Sequence, residues 1–315
     1  MQIKNKIKDI LLSNNKLKLV SHYYVHPDLQ DMAEETNGFI GDSLGMAKWA
    51  NVQKCETIIV AGVHFMAETI KILNPTKNVI LLDEGSTCSL DVGCSYDAFK
   101  EFQQSHLDRV TVVYANTSAK IKTLADWVVT SRNAIEIVDY LDSEGKKILW
   151  APDKHMGAYV AKTTGADIIS WEGSCTVHDQ FKHDGILSLK QSFPEAKVLA
   201  HPEAPINVTN ISDLVGSTEQ MIKYTKDNHC DTYIIASDSG LFYQMQKASP
   251  MKKFIQAPTG GYGATCKMCA QCPWMGLNNL ELLWKTLNGD AGYHVDVAKD
   301  ISKLARIPLD RMLNF

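Results

Sequence analysis

Gly260-Gly261-Tyr262-Gly263-Ala264-Thr265-Cys266-Lys267-Met268-Cys269-Ala270-Gln271-Cys272-Pro273 sets three cysteines at intervals of three behind a glycine-rich turn. It follows the short apolar run around Phe254-Ile255. Two other cysteines close loops of the same kind at comparable separations along the chain. Asn78-Val79-Ile80-Leu81-Leu82 runs into Asp83-Glu84-Gly85-Ser86-Thr87-Cys88, and Asp167-Ile168-Ile169-Ser170-Trp171 runs into Glu172-Gly173-Ser174-Cys175. Three apolar runs of strand length, each ending in a polar loop with cysteine, predict three copies of one unit with their cysteine loops on a common axis.

The rest of each copy agrees. Strand-like runs with polar tips come first: Leu17 to Tyr24 ending in His22-Tyr23-Tyr24, Arg109 to Ala115 ending in Tyr114-Ala115-Asn116, and Lys197 to Ala200 ending in His201-Pro202-Glu203. Ser43, Ser131 and Ser217 then stand where an N-cap would open a helix. Second runs follow at Thr57–Gly62, Lys147–Trp150 and Thr232–Ala236. The fold class expected is α/β: three pseudo-threefold-related three-layer α/β/α units, with small parallel sheets around a central cluster. The units would be residues 1–95, 96–182 and 183–275, with 276–315 a C-terminal helical segment packing back on the first. Ligands of open parallel sheets collect beyond the carboxyl ends of the strands, where all these tips lie.

Composition narrows the partners. The 315 residues are 45% hydrophobic and 22% charged, with a formal net charge of -4 and no lysine or arginine run longer than a pair. No electrostatic footprint for nucleic acid results, and a small molecule is the expected ligand. Residues 1–12 lack the apolar core of a secretory signal, and no stretch approaches the roughly 20 apolar residues of a membrane span. A cytoplasmic protein without membrane partners is expected, in which eight cysteines are core thiols, metal ligands or redox groups rather than a disulfide framework.

Three thiolates from separate units suit iron–sulfur ligation better than structural zinc, whose four ligands usually come in local pairs. A cuboidal cluster held by three cysteines leaves one iron open, able to act as a Lewis acid on a hydroxyl or carboxylate. Only one of Cys266, Cys269 and Cys272 is needed, and spacing does not choose among them. Cys94 competes with Cys88 for the first position, whereas Cys55 and Cys230 read as core thiols. His22 and Tyr24, Tyr114 and Asn116, and His201 and Glu203 are each two apart, so each pair shares one side of an extended chain. They offer proton donors and acceptors for an elimination, and Ser43, Ser131, Ser217 or its neighbour Thr218 offer hydroxyls at helix N-termini for carboxylate or phosphate. His178, close to Cys175, and His155 are weaker candidates that read first as structural.

The blocks His22-Tyr23-Tyr24, Ile40-Gly41-Asp42-Ser43, Tyr114-Ala115-Asn116-Thr117-Ser118, Val129-Thr130-Ser131, Trp171-Glu172-Gly173-Ser174-Cys175, His201-Pro202-Glu203, Val215-Gly216-Ser217-Thr218 and Cys272-Pro273-Trp274-Met275 resemble those of the quinolinate synthase (NadA) family. The resemblance covers nearly the whole chain. It implies a triangular fold of three α/β domains around a 4Fe-4S cluster. It also implies condensation of iminoaspartate with dihydroxyacetone phosphate to quinolinate, losing phosphate and two waters, in de novo NAD synthesis. The implied metal ligands are Cys88, Cys175 and Cys272. The implied substrate contacts are His22, Ser43, Tyr114, Asn116, Ser131, Ser217 and Thr218, with Tyr24, His201 and Glu203 as the acid–base set. An enzyme delivering the unstable imine is an implied partner. Cys266 and Cys269 form an extra Cys-x-x-Cys found in part of the family, able to form a disulfide or to do nothing.

Two rival readings share some of these residues. Another pseudo-threefold iron–sulfur reductase or dehydratase, such as the enzyme removing a hydroxyl in the methylerythritol phosphate route, would use the three cysteines. The blocks around His201 and Tyr114 argue against it. A non-catalytic zinc or redox sensor would use the terminal cysteines and have no use for Cys88 or Cys175.

Overall fold

The computed structural model describes residues 2–260 and 270–315. The first unit runs α1 (Gln2–Ser13), β1 (Leu17–His22), α2 (Pro27–Glu35), β2 (Phe39–Gly41), α3 (Ser43–Val52), β3 (Thr57–Ala61), α4 (His64–Leu73), β4 (Asn78–Leu81) and α5 (Ser89–Val92). The second runs α6 (Tyr96–Gln104), β5 (Val110–Tyr114), α7 (Ala119–Lys122), β6 (Trp127–Val129), α8 (Ala134–Ser143), β7 (Ile148–Ala151), α9 (Lys154–Thr164) and β8 (Ile168–Ser170). The third runs α10 (His183–Ser192), β9 (Lys197–Ala200), α11 (Ile206–Thr209), β10 (Leu214–Val215), α12 (Thr218–Asp227), β11 (Thr232–Ala236), α13 (Leu241–Ala248) and β12 (Lys253–Gln256). The chain closes with α14 (Leu280–Leu287), β13 (Tyr293–His294) and α15 (Lys299–Asn314).

The three sheets repeat one order: β2-β1-β3-β4, β6-β5-β7-β8 and β10-β9-β11-β12, every pair within them parallel. The expected three-layer α/β/α units are therefore present. The expectation of wholly parallel sheets needs one amendment, because β13 adds an antiparallel edge to β4. In each unit the chain leaves the first strand to one side and returns to the other. This creates a switch point between first and third strands, whose crevice opens at the carboxyl ends.

Helices on both faces explain why the central strands are apolar without alternation. Ile58, Ile59, Val60 and Ala61 are buried, as are Ile148, Leu149, Trp150 and Ala151, and Tyr233, Ile234, Ile235 and Ala236. The outer strands β2, β6 and β10 are two or three residues long, too short for a pattern in the sequence to declare them. The last helix reaches Asn314 and carries Pro308 inside it. It lies against α4, α7 and β6, and Arg311 donates to the Asp126 carbonyl at 2.6 Å.

Candidate functional site

Pairing register superposes the three units residue by residue. Ser21 faces Ala61, Val113 faces Ala151 and Ala200 faces Ala236. His22, Tyr114 and His201 are therefore equivalent, and so are Tyr24, Asn116 and Glu203. On the second strands, His22 faces Gly41, Tyr114 faces Val129 and Ala200 faces Val215. That register equates Ser43, Ser131 and Thr218, one position away from the alignment of three serines that the sequence suggests.

The helix starts give the reason. Asp42, not Ser43, caps α3: its backbone is extended, and its Oδ1 accepts the Gly45 N–H at 2.7 Å. Ser217 caps α12 in a capping box, its Oγ accepting from Gln220 N while Gln220 Oε1 accepts from Ser217 N. A capping side chain must stand one residue before the first helical one, so the residues after the caps, Ser43 and Thr218, are the ones that reach inward. Ser131 caps nothing. It lies in the turn before α8, where Asn133 Oδ1 accepts from Thr130 N and Oγ1.

One cavity gathers the strand tips, with about 670 Å³ of empty space counting its mouth and the solvent beyond it. His22, Tyr24, Ser43, Cys88, Tyr114, Asn116, Ser131, Cys175, His201, Glu203, Thr218 and Cys272 all line it. Ser217 does not; its hydroxyl is spent on the cap. Thr218 Oγ1 is buried with no hydrogen-bond partner, an orphan that a ligand oxygen would satisfy.

Glu203 is the hub of the polar wall. Tyr114 Oη donates to its Oε1 at 2.6 Å, Asn116 Nδ2 approaches the same oxygen at 3.4 Å, and His178 Nδ1 stands 2.9 Å from Oε2. Burial pushes this carboxyl up, but the imidazoles of His201 and His178 and the Tyr114 hydroxyl outweigh it and hold the group below the usual glutamate range. His178 also places Nδ1 3.2 Å from Cys175 Sγ and stacks on His201 with centroids 4.6 Å apart. Nothing in the sequence separated His178 from a structural histidine, because its polar partners besides Cys175, and the ring it stacks on, come from the third unit.

The equivalent histidines carry equivalent contacts. His22 Nδ1 accepts the Tyr24 N–H at 3.2 Å, and His201 Nδ1 accepts the Glu203 N–H at 3.4 Å. Burial lowers His22 to about 4 and His201 to about 3, against the attraction of nearby carboxylates. Both rings are neutral near pH 7, and with Nδ1 accepting, each carries its proton on Nε2. The Tyr24 hydroxyl lies 2.9 Å from Ser237 Oγ, and burial together with Asp238 raises its pKa well above 10.

Cys88, Cys175 and Cys272 reach the cavity from the loops after β4, β8 and β12. Burial raises all three thiols, Cys272 to about 11. Asp153 Oδ2 accepts the Cys175 N–H at 3.2 Å and Asp238 Oδ2 accepts the Cys272 N–H at 2.6 Å. These aspartates hold equivalent places after β7 and β11, where the first unit has Val63. Cys94 is buried instead among Phe99, Val113 and Leu149, away from the cavity lining. Cys230 lies at the other end of its sheet beside Lys197 and Thr232, and Cys55 is buried. His155 is engaged by Asp179 at 2.6 Å. Cys266 and Cys269 lie outside the described residues.

Three partly buried thiols, Asp42, Glu203 and Asp238 line the cavity, and among the described residues no lysine or arginine does. Such a wall cannot by itself attract an anion; it suits a bound cationic centre, with oriented hydroxyls and helix N-termini for anionic groups. A family model described as "NadA: Quinolinate synthetase A protein" matches residues 5–314.

Proposed function

The chain belongs to the quinolinate synthetase A family, and on that premise we propose that it is a quinolinate synthase condensing iminoaspartate with dihydroxyacetone phosphate, with loss of phosphate and two waters. The observation that carries this reading is the meeting of Cys88, Cys175 and Cys272 in one cavity with the polar tips of all three sheets. The donor set fits a 4Fe-4S cluster, being three soft ligands in a site lined, among the described residues, by acidic groups and no lysine or arginine. When bound, such a cluster supplies one iron without a protein ligand, a Lewis acid for substrate oxygen. The reading keeps residues 1–95, 96–182 and 183–275 as the three units, with 276–315 appended.

The side chains divide the remaining work. Ser43, Ser131, Thr218, Asn116 and the Nε2–H of His22 receive carboxylate and phosphate oxygens, and Ser217 orients Thr218 by capping its helix. Glu203, ionised and aimed by Tyr114 and His178, accepts protons. Tyr24, protonated throughout the physiological range, donates them, and the Nε2–H of neutral His201 hydrogen-bonds to the developing negative charge.

No helix among the described residues is long and apolar enough to cross a membrane. The reading places the enzyme in the cytoplasm beside an enzyme that supplies the imine. Anaerobic purification with iron and acid-labile sulfide assays, followed by a quinolinate assay with both substrates, tests it. Cluster-loaded protein that makes no quinolinate overturns the assignment.

A further inference from the structure

We propose that the cluster-free chain holds a single thiophilic divalent cation, such as Zn²⁺ or Co²⁺, between Cys175, His178 and Glu203. The ligand atoms are already together. His178 Nδ1 lies 3.2 Å from Cys175 Sγ and 2.9 Å from Glu203 Oε2, and all three lie within 4.8 Å of one another. An ion with bonds of about 2.0–2.3 Å reaches sulfur, nitrogen and oxygen after small side-chain adjustment.

The surroundings are those of a built site. His178 Nδ1 stands between Cys175 Sγ and Glu203 Oε2, and a cation there takes the place of any proton on that nitrogen. The ring proton moves to Nε2, which has Ser237 Oγ at 3.5 Å as its partner; ligating histidines commonly donate their second N–H in this way. Tyr114 occupies Glu203 Oε1, which leaves Oε2 for the ion. Asp153 fixes the Cys175 backbone, and the His201 ring stacked on His178 fixes its plane. Thiolate and carboxylate cancel the ion's two charges, so the filled site is neutral, as burial demands. The proton of the Cys175 thiol is released to solvent. Three protein ligands with the cavity on the fourth side are the pattern of an open rather than a closed zinc site.

Cys175 is common to this site and to the proposed cluster, so the two occupants exclude each other, and a trapped ion would hold the chain in a cluster-free form. The inference needs only the three side chains and is independent of the enzymatic assignment; its test contains no turnover. The full-length chain, cluster-free and carrying Cys266→Ser and Cys269→Ser so that the terminal pair cannot compete, is titrated with Co²⁺. One equivalent should bind with thiolate-to-cobalt charge-transfer absorption. His178→Ala should weaken binding by about 10-fold or more, and Cys272→Ser should leave it unchanged. Absence of the band, its survival in folded His178→Ala, or its loss in Cys272→Ser overturns the proposal, the last because it would mean a three-thiol site. Should circular dichroism show His178→Ala unfolded, Glu203→Gln carries the same comparison.

Discussion

Tyr114→Phe removes one oxygen atom, and the structure says what that oxygen does. Its hydroxyl donates at 2.6 Å to a carboxylate that is itself buried, and no other group replaces it: Asn116 reaches the same oxygen only at 3.4 Å. A hydrogen bond to a charged group contributes about 1.5–3 kcal/mol. If Glu203 must be ionised and correctly aimed, kcat/KM should fall roughly 10- to 150-fold, with the protein folded but less stable by a similar free energy. A double-mutant cycle on unfolding free energy with Glu203→Gln separates this bond from the general loss of a polar atom. The expected coupling is about 1–2 kcal/mol, the difference between a charged and a neutral acceptor. Additive effects of the two substitutions, or full activity in Tyr114→Phe, would refute the placement of Glu203 at the centre of the proton-handling network.

Three further substitutions probe other parts of the site. Thr218→Val deletes a buried hydroxyl that has no partner within the protein, so stability should hold or rise slightly. KM, in contrast, should rise about 5- to 10-fold for the loss of one ligand hydrogen bond; an unchanged KM would detach Thr218 from the ligand. A Cβ added at Gly240 would lie 2.7 Å from the Tyr24 Cα and carbonyl oxygen. Gly240→Ala should therefore push Tyr24 away from Ser237, cost about 1–3 kcal/mol in thermal unfolding and lower kcat, whereas retained kcat would show that Tyr24 tolerates displacement. Lys122 is fully buried, and burial lowers it to about 8, against the pull of Glu68 and Asp91. The unfolded chain keeps the lysine proton up to its ordinary pKa, so between pH 8 and 10 the unfolded state binds more protons and wild-type stability should rise with pH. Relative to Lys122→Met the gain should be about 2–3 kcal/mol by urea unfolding, and a flat difference would mean that Lys122 stays charged.

Much of the architecture follows from local chemistry. Strands buried on both faces must be apolar throughout, and chains that leave them toward a ligand must turn polar. The repeated order of apolar run, polar tip and cysteine loop was therefore legible at Cys88 and Cys175 without any contact being known. The strands β2, β6 and β10 were not, because two or three residues carry no period; only pairing with their neighbours makes them strands. The same blindness shifted the first cap by one residue, whereas Ser217 caps its helix as expected. Asp42 and Ser43 are both ordinary capping types, and the backbone conformation that decides between them is set by the register of the preceding strand.

What sequence alone determined is the composition of the site: which tips carry imidazole, phenol, carboxylate and thiol, and at which end of the sheets. What tertiary structure decided is which of those atoms meet. Glu203 of the third unit receives Tyr114 and His178 from the second, and Tyr24 of the first rests on Ser237 of the third. Side chains so far apart in the chain share no local pattern. Their meeting is fixed by how three packed sheets turn their carboxyl ends toward one point, and so His178, plain in the sequence, stands at the centre of the site.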